Sequence, residues 1–238
     1  MEKDKSTQNK HTEYNGEYSQ IRKALHNRII ECMVEGIYPP IGSPDAVLLG
    51  GGSNAGKSTL AELLITDENF VLVDPDNIKP HLPEYEYYQQ KEPSLAAQYV
   101  HDESSDISAM LLDESINKNL AIVYDGTMKN IQKYERIIKK LKRNQYTVTM
   151  IIADISVDKA IERNKVRYEK TGRMVPESDL IESHKAIPYS FTALKDVVDE
   201  YYIYNTSGDQ PILVAKRDET CETIHHQQYY DEFLRKVK

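Results

Sequence analysis

The sequence predicts an α/β fold, a mostly parallel β-sheet with helices on both faces. Three observations predict it. Apolar runs of strand length alternate with helix-length amphipathic stretches, a glycine-rich loop joins the first such run to the helix after it, and acidic residues close successive strand candidates. In an open sheet of this kind ligands gather at the carboxyl ends of the strands, so residues at those ends are the candidates for function.

Taken in order, residues 1–16 are polar and aperiodic and read as a disordered tail. Residues 17–44 read as an N-terminal helix and linker. Ile21, Leu25, Ile29 and Cys32 fall on one helical face that stops near Gly36, ahead of the breaker YPPIGSP. Residues 45–238 read as one domain. Its strands are expected at 46–49, 70–74, 121–124, 147–153 and 200–206, and its helices from 57, at 105–117, 131–142 and 157–170, and after Pro176. The stretch between Lys79 and Tyr99 is rich in Pro and Tyr and reads as a connection. Residues 201–206 and 211–216 read as an edge hairpin, and 223–237 as a closing helix.

Composition narrows the function classes. With 30 Lys and Arg against 38 Asp and Glu, the net charge of −8 speaks against a nucleic-acid partner, which calls for a basic stripe. The one basic run, Lys139, Lys140, Lys142 and Arg143, closes an amphipathic helix and reads as its solvated end. No apolar run approaches the roughly 18 residues that span a bilayer, and the first residues lack a signal peptide's apolar core, so no membrane partner and a cytoplasmic location are expected. Cys32 and Cys221 lie too far apart in sequence for a paired metal or redox motif, and His225 and His226 have no ligand partners at zinc spacing.

The segment Gly51, Gly52, Ser53, Asn54, Ala55, Gly56, Lys57, Ser58 matches GxxxxGK[ST] at every specified position, after an apolar strand and before a helix. This is the phosphate-binding loop of P-loop NTPases and nucleotide kinases, so ATP and Mg²⁺ are the expected cofactors. The glycines allow the tight turn, backbone N–H groups and the helix dipole meet the anion, and residues 51–59, through Thr59, form the nucleotide-binding set. Lys57 is expected on the β- and γ-phosphates and Ser58 on magnesium.

Further along, the second strand ends in VLVDPDNIK. Asp76 is the candidate base that takes the acceptor hydroxyl's proton, with Asp74 orienting the acceptor or supporting the metal and Lys79 grouped with the substrate-binding residues. The third strand ends in Asp125, Gly126 and Thr127. Asp125 is a candidate for magnesium's surroundings or for substrate, and Thr127 for substrate. Arg163 and Arg167 stand one helical turn apart, and Arg173 follows a glycine, an arrangement suited to a lid over a triphosphate.

The segments GGGSNAGKST, VDPDNIKPHLPEY, VHDESSDIS, IVYDGT and RYEKTGRMVP, in this order over residues 46 to about 190, resemble the zeta toxin family of P-loop kinases, the toxin half of many bacterial toxin–antitoxin pairs. The resemblance implies that Lys57 binds phosphate and that Asp76 deprotonates the acceptor. It also implies that Arg167 and Arg173 clamp the phosphates with Arg163 in reserve. It implies a small-molecule hydroxyl substrate of the nucleotide-linked kind, as in relatives that phosphorylate UDP-N-acetylglucosamine, and an antitoxin partner. The sequence departs from the family in carrying Asp125 where toxins often carry Glu. Two rivals stand beside the kinase: a nucleotide switch, although no [NT]KxD motif is present, and a silent fold kept as an interaction module.

Overall fold

The computed structural model describes residues 5–65, 69–171, 174–218 and 220–236. The strands are β1 (Asp45–Gly50), β2 (Val71–Val73), β3 (Ile122–Tyr124), β4 (Thr147–Asp154), β5 (Glu200–Asn205), β6 (Ile212–Arg217) and β7 (Glu222–Ile224). They form a mostly parallel seven-stranded sheet in the order β2-β3-β1-β4-β5-β6-β7. The helices are α1 (Thr7–His11), α2 (Gln20–Val34), α3 (Lys57–Leu64), α4 (Pro75–Ile78), α5 (Pro83–Lys91), α6 (Pro93–Tyr99) and α7 (His101–Asn117). They continue as α8 (Ile131–Arg143), α9 (Val157–Thr171), α10 (Glu177–Leu194) and α11 (Gln227–Arg235). Among the described residues, no helix is long and apolar enough to cross a membrane.

The chain divides into two compact units, residues 1–39 with 70–122 and residues 40–69 with 123–238. The sequence alone sets the leading helix apart from a domain running from 45 to 238. Instead α2 packs on α7 within the first unit. The reason lies in its buried face, which carries Arg22 and His26 beside Ile29, Ile30 and Val34, whereas Ile21 is 86% exposed. An apolar periodicity count overlooks a face whose burial is ionic.

That ionic cluster is dense. Arg22 donates to both carboxylate oxygens of Glu103, at 2.6 and 2.8 Å, and to both of Glu84, at 3.0 and 2.8 Å, while His26 Nε2 lies 2.7 Å from Glu103. Burial by itself would raise the Glu103 carboxyl, but the Arg22 and His26 hydrogen bonds outweigh it and hold the group at about 2. Removing one partner of a buried pair leaves an uncompensated charge. Glu103→Gln should therefore destabilise the fold by about 3 kcal/mol, the second carboxylate at Glu84 keeping the loss near the low end of the range. Denaturant midpoints at neutral pH check this, and the difference between the two proteins should shrink as pH falls from 4.5 toward 2, because the unfolded chain's Glu103 takes up a proton that the folded one does not.

The expected disordered tail is ordered over its described part. Lys5 pairs with Glu92 at 2.5 Å, Gln8 donates to Asp106 at 2.8 Å, His11 meets Glu84 at 2.7 Å and Tyr18 donates to Asp106 at 2.7 Å. Polar composition alone hid these partners. The Pro- and Tyr-rich connection is helical too. After a 3₁₀ turn at Lys79–His81, α5 and α6 each open on a proline, Pro83 and Pro93, at a position where a missing N–H costs nothing.

In the second unit β1 runs parallel to β4, with Asp45 opposite Thr147 and Gly50 opposite Ile152, and β4 runs parallel to β5. Parallel neighbours need crossovers, which the intervening helices supply. The expected hairpin is present as antiparallel β5 and β6, with an irregularity between Ile203 and Tyr204. The closing helix starts later than its sequence suggests. Residues 222–224 pair with β6 as β7, and α11 begins at Gln227. Leu48, Val148, Met150 and Ile203 are fully buried in the sheet, and Phe191 packs edge-on against Tyr201 and against Phe233 of α11, with ring centroids 4.9 and 5.6 Å apart.

Candidate active site

Between β1 and α3 the backbone turns through three left-handed residues, Gly51 (φ 144°), Asn54 (φ 61°) and Gly56 (φ 86°). Glycine is required at the first of these on space as well as on φ, because a Cβ there would stand 2.5 Å from the Ala153 carbonyl oxygen. Asn54 is among the few non-glycine types that tolerate this region. Lys57 opens α3 with its ammonium 3.3 Å from the Gly51 carbonyl, so the cation lies across the mouth of the loop. Ser58 and Thr59 occupy the exposed first turn of α3, at the positive end of the helix dipole.

The loop's outer side is tied to the rest of the second unit. From α9, Arg163 donates to the Asn54 carbonyl at 3.5 Å and to the Thr206 carbonyl at 2.5 Å, and Arg167 donates to Asn54 Oδ1 at 3.3 Å. Asn164, buried between them in sequence, accepts from Asn54 Nδ2 at 3.0 Å and exchanges hydrogen bonds with both backbone groups of Val175. Thr206, just past β5, donates to the Ala55 carbonyl at 2.5 Å. Thus Arg163 and Arg167 both converge on the phosphate loop, Arg163 through backbone carbonyls. Arg173 lies outside the described residues.

The turn after β3 belongs to the same unit. A Cβ on Gly50 would lie 3.1 Å from the Met128 side chain, which sets the segment carrying Asp125 and Thr127 beside the start of the loop. Gly126 is needed there because a Cβ would fall on the Tyr134 hydroxyl, whose pKa burial pushes well up. Asp125 and Thr127 are half-buried. Ser58 and Asp125 offer only oxygen donors, which suits a hard cation such as Mg²⁺. Among the described residues no cluster of three His, Cys, Asp or Glu is built to hold a metal.

In the first unit, Asp74 ends β2 and caps α4, accepting from the Asp76 N–H at 2.8 Å, with Pro75 at the first helical position. The cap is therefore Asp74, and the Asp76 carboxylate is left to pair with Lys79 at 2.6 Å. Lys79 is buried, with 5% of its side chain exposed, whereas Asp76 keeps 41%. The ion pair thus joins a buried ammonium to a carboxylate that still faces solvent.

Sequence reasoning passed over Asn164, Ser183, His184 and Thr206. They carry no motif, and each becomes visible only when long-range folding brings it to residues 53–55. Burial, with the Lys236 and Lys57 cations adding to it, pulls the His184 imidazole down to about 4. The ring is neutral in the folded chain at neutral pH, and the unfolded chain takes up this proton near the ordinary imidazole value of 6.5. Between the two values the unfolded state binds more protons, so this contribution is complete above pH 6.5 and is lost as pH falls toward 4. Urea titrations should show a decline of about 3 kcal/mol over that window, absent in His184→Gln.

The zeta toxin family model matches residues 31–220. The toxin PezT of Streptococcus pneumoniae serotype 4 is 24% identical over 129 residues, which is 53% of this chain and 51% of PezT, so the alignment spans about half of that relative. Among solved structures, a chain of the PezAT chromosomal toxin–antitoxin system of Streptococcus pneumoniae superposes with a TM-score of 0.72 at 18% identity, covering 92% of this chain and 94% of that one. A chain of the AvrRxo1-ORF1:-ORF2 complex with ATP gives 0.71 at 15% identity, covering 94% and 76%. At such identities the structural likeness speaks for the fold, while the family match extends over most of the sequence. The chain belongs to the zeta toxin family.

Proposed function

We propose that this protein is an ATP- and Mg²⁺-dependent phosphotransferase that moves the γ-phosphoryl group of ATP to a hydroxyl of a nucleotide-linked small molecule, UDP-N-acetylglucosamine being the first acceptor to try. The observation that carries the reading is the phosphate loop itself, with three left-handed residues, Lys57 across its mouth and Arg167 held at Asn54. In this reading the loop amides and Lys57 bind the β- and γ-phosphates, and Arg167 and Arg173 neutralise charge on the moving phosphoryl group. Asp76 accepts the acceptor's proton as its oxygen bonds to phosphorus and the bond to ADP breaks. Ser58 and Asp125 would hold Mg²⁺, which screens the phosphate charge when bound. Lys79 would hold the Asp76 carboxylate through their 2.6 Å pair, and Asp74 and Thr127 are assigned to the acceptor.

A partner belongs to the proposal as well. The PezAT neighbour comes from a toxin–antitoxin system, which supports an antitoxin-like protein for this chain. Assaying ATP consumption with and without UDP-N-acetylglucosamine and other sugar nucleotides tests the reading. A kinase makes a phosphorylated product in step with ADP, a switch hydrolyses ATP without an acceptor, and a silent module does neither.

A further inference from the structure

The phosphate loop is fastened from outside by one turn of α10. Ser53 is bound there through both of its backbone groups: its N–H donates to Ser183 Oγ at 2.9 Å, and its carbonyl accepts from His184 Nε2 at 2.9 Å. The Ser183 hydroxyl spends its own proton on the Leu180 carbonyl at 2.7 Å, which fixes it as acceptor toward Ser53. A carbonyl can only accept, so His184 carries its proton on Nε2. Both side chains are buried, at 2% exposure each.

Two further features fit this fastening. A Cβ on Gly52 would stand 2.3 to 2.5 Å from three atoms of the His184 ring, so ring and loop backbone are in direct contact. Pro188 lies four residues beyond His184 inside α10 and has no N–H to give the His184 carbonyl, so this turn lacks one backbone hydrogen bond. With Asn164 on Asn54 and Thr206 on Ala55, the outer edge of the loop is tied at three successive residues.

We infer that Ser183 and His184 are positioning residues for nucleotide binding. They turn the Ser53 peptide outward onto α10 and hold the loop in the arrangement from which its other amides converge on a phosphate. Neither needs to touch the nucleotide. Their effect is preorganisation, the ordering of the loop before the anion arrives. This rests on the ATP-binding reading given above.

Calorimetric titration of the full chain with MgATP tests it, at a temperature where melting curves show every protein folded. His184→Phe fills the space but cannot donate, and it should weaken ATP binding roughly tenfold. His184→Gln restores an N–H to the Ser53 carbonyl and should stay within about threefold of the parent. Ser183→Ala removes the other tie and should weaken binding roughly fivefold. In transfer assays the losses should appear in KM for ATP rather than in kcat. Failure of the unmodified chain to bind MgATP would overturn the kinase reading. If the parent binds and His184→Phe or Ser183→Ala binds as tightly, or if His184→Gln is as impaired as His184→Phe, the positioning role is overturned.

Discussion

Asp76→Asn should lower phosphoryl transfer by roughly 10²- to 10⁴-fold, the range in which a positioned general base contributes, while MgATP binding changes little. The substitution keeps the size of the side chain and an oxygen that can accept from Lys79, whose ammonium lies 2.6 Å from the Asp76 carboxylate. The α4 cap is also kept, because that carboxylate belongs to Asp74. What is lost is the ability to take a proton. Retained transfer in Asp76→Asn would sink the base assignment, and lost ATP binding would show that the residue serves the nucleotide instead.

Lys57→Ala should act on the other half of the reaction. Charge-assisted hydrogen bonds contribute about 1.5–3 kcal/mol each, so losing the ammonium should weaken MgATP binding roughly 10- to 100-fold by calorimetry. The loop should otherwise keep its form. It is tied by Ser183, His184, Asn164 and Thr206, whereas Lys57 contributes the 3.3 Å contact to the Gly51 carbonyl. Unchanged affinity in Lys57→Ala would contradict the identification of the loop. The two substitutions thus divide the proposal, one abolishing chemistry with binding intact and the other weakening binding itself.

Most of the sheet was legible because its strands are short apolar runs set between long amphipathic helices, and β1, β4 and β5 fall within a residue or two of their expected bounds. The phosphate loop was legible for a different reason. A left-handed backbone at Gly51 and Gly56 leaves a glycine signature that no neighbour can override. What stayed hidden was burial by charge and contact across sequence. Arg22 and His26 face inward on α2 because Glu103, some eighty residues on, meets them there. Residues 5–18 are ordered by carboxylates from α5, from Glu92 between α5 and α6, and from α7. The stretch that holds Pro83 and Pro93 reads as a connection because a single sequence does not distinguish a helix's first residue from the loop before it. Ser183 and His184 gave no signal, since polar residues on a helix read as solvated until the loop that they grip is in place.

The Asp76 and Lys57 predictions depend on one reaction, transfer of phosphate to a hydroxyl by this chain. The most direct measurement is incubation with ATP, Mg²⁺ and a bacterial metabolite extract, followed by mass spectrometry, with Asp76→Asn run in parallel. The parent protein should form a nucleotide-linked metabolite heavier by one phosphate, and that product should be missing with Asp76→Asn. ATP turnover with no phosphorylated metabolite, or the same product from both proteins, would contradict it.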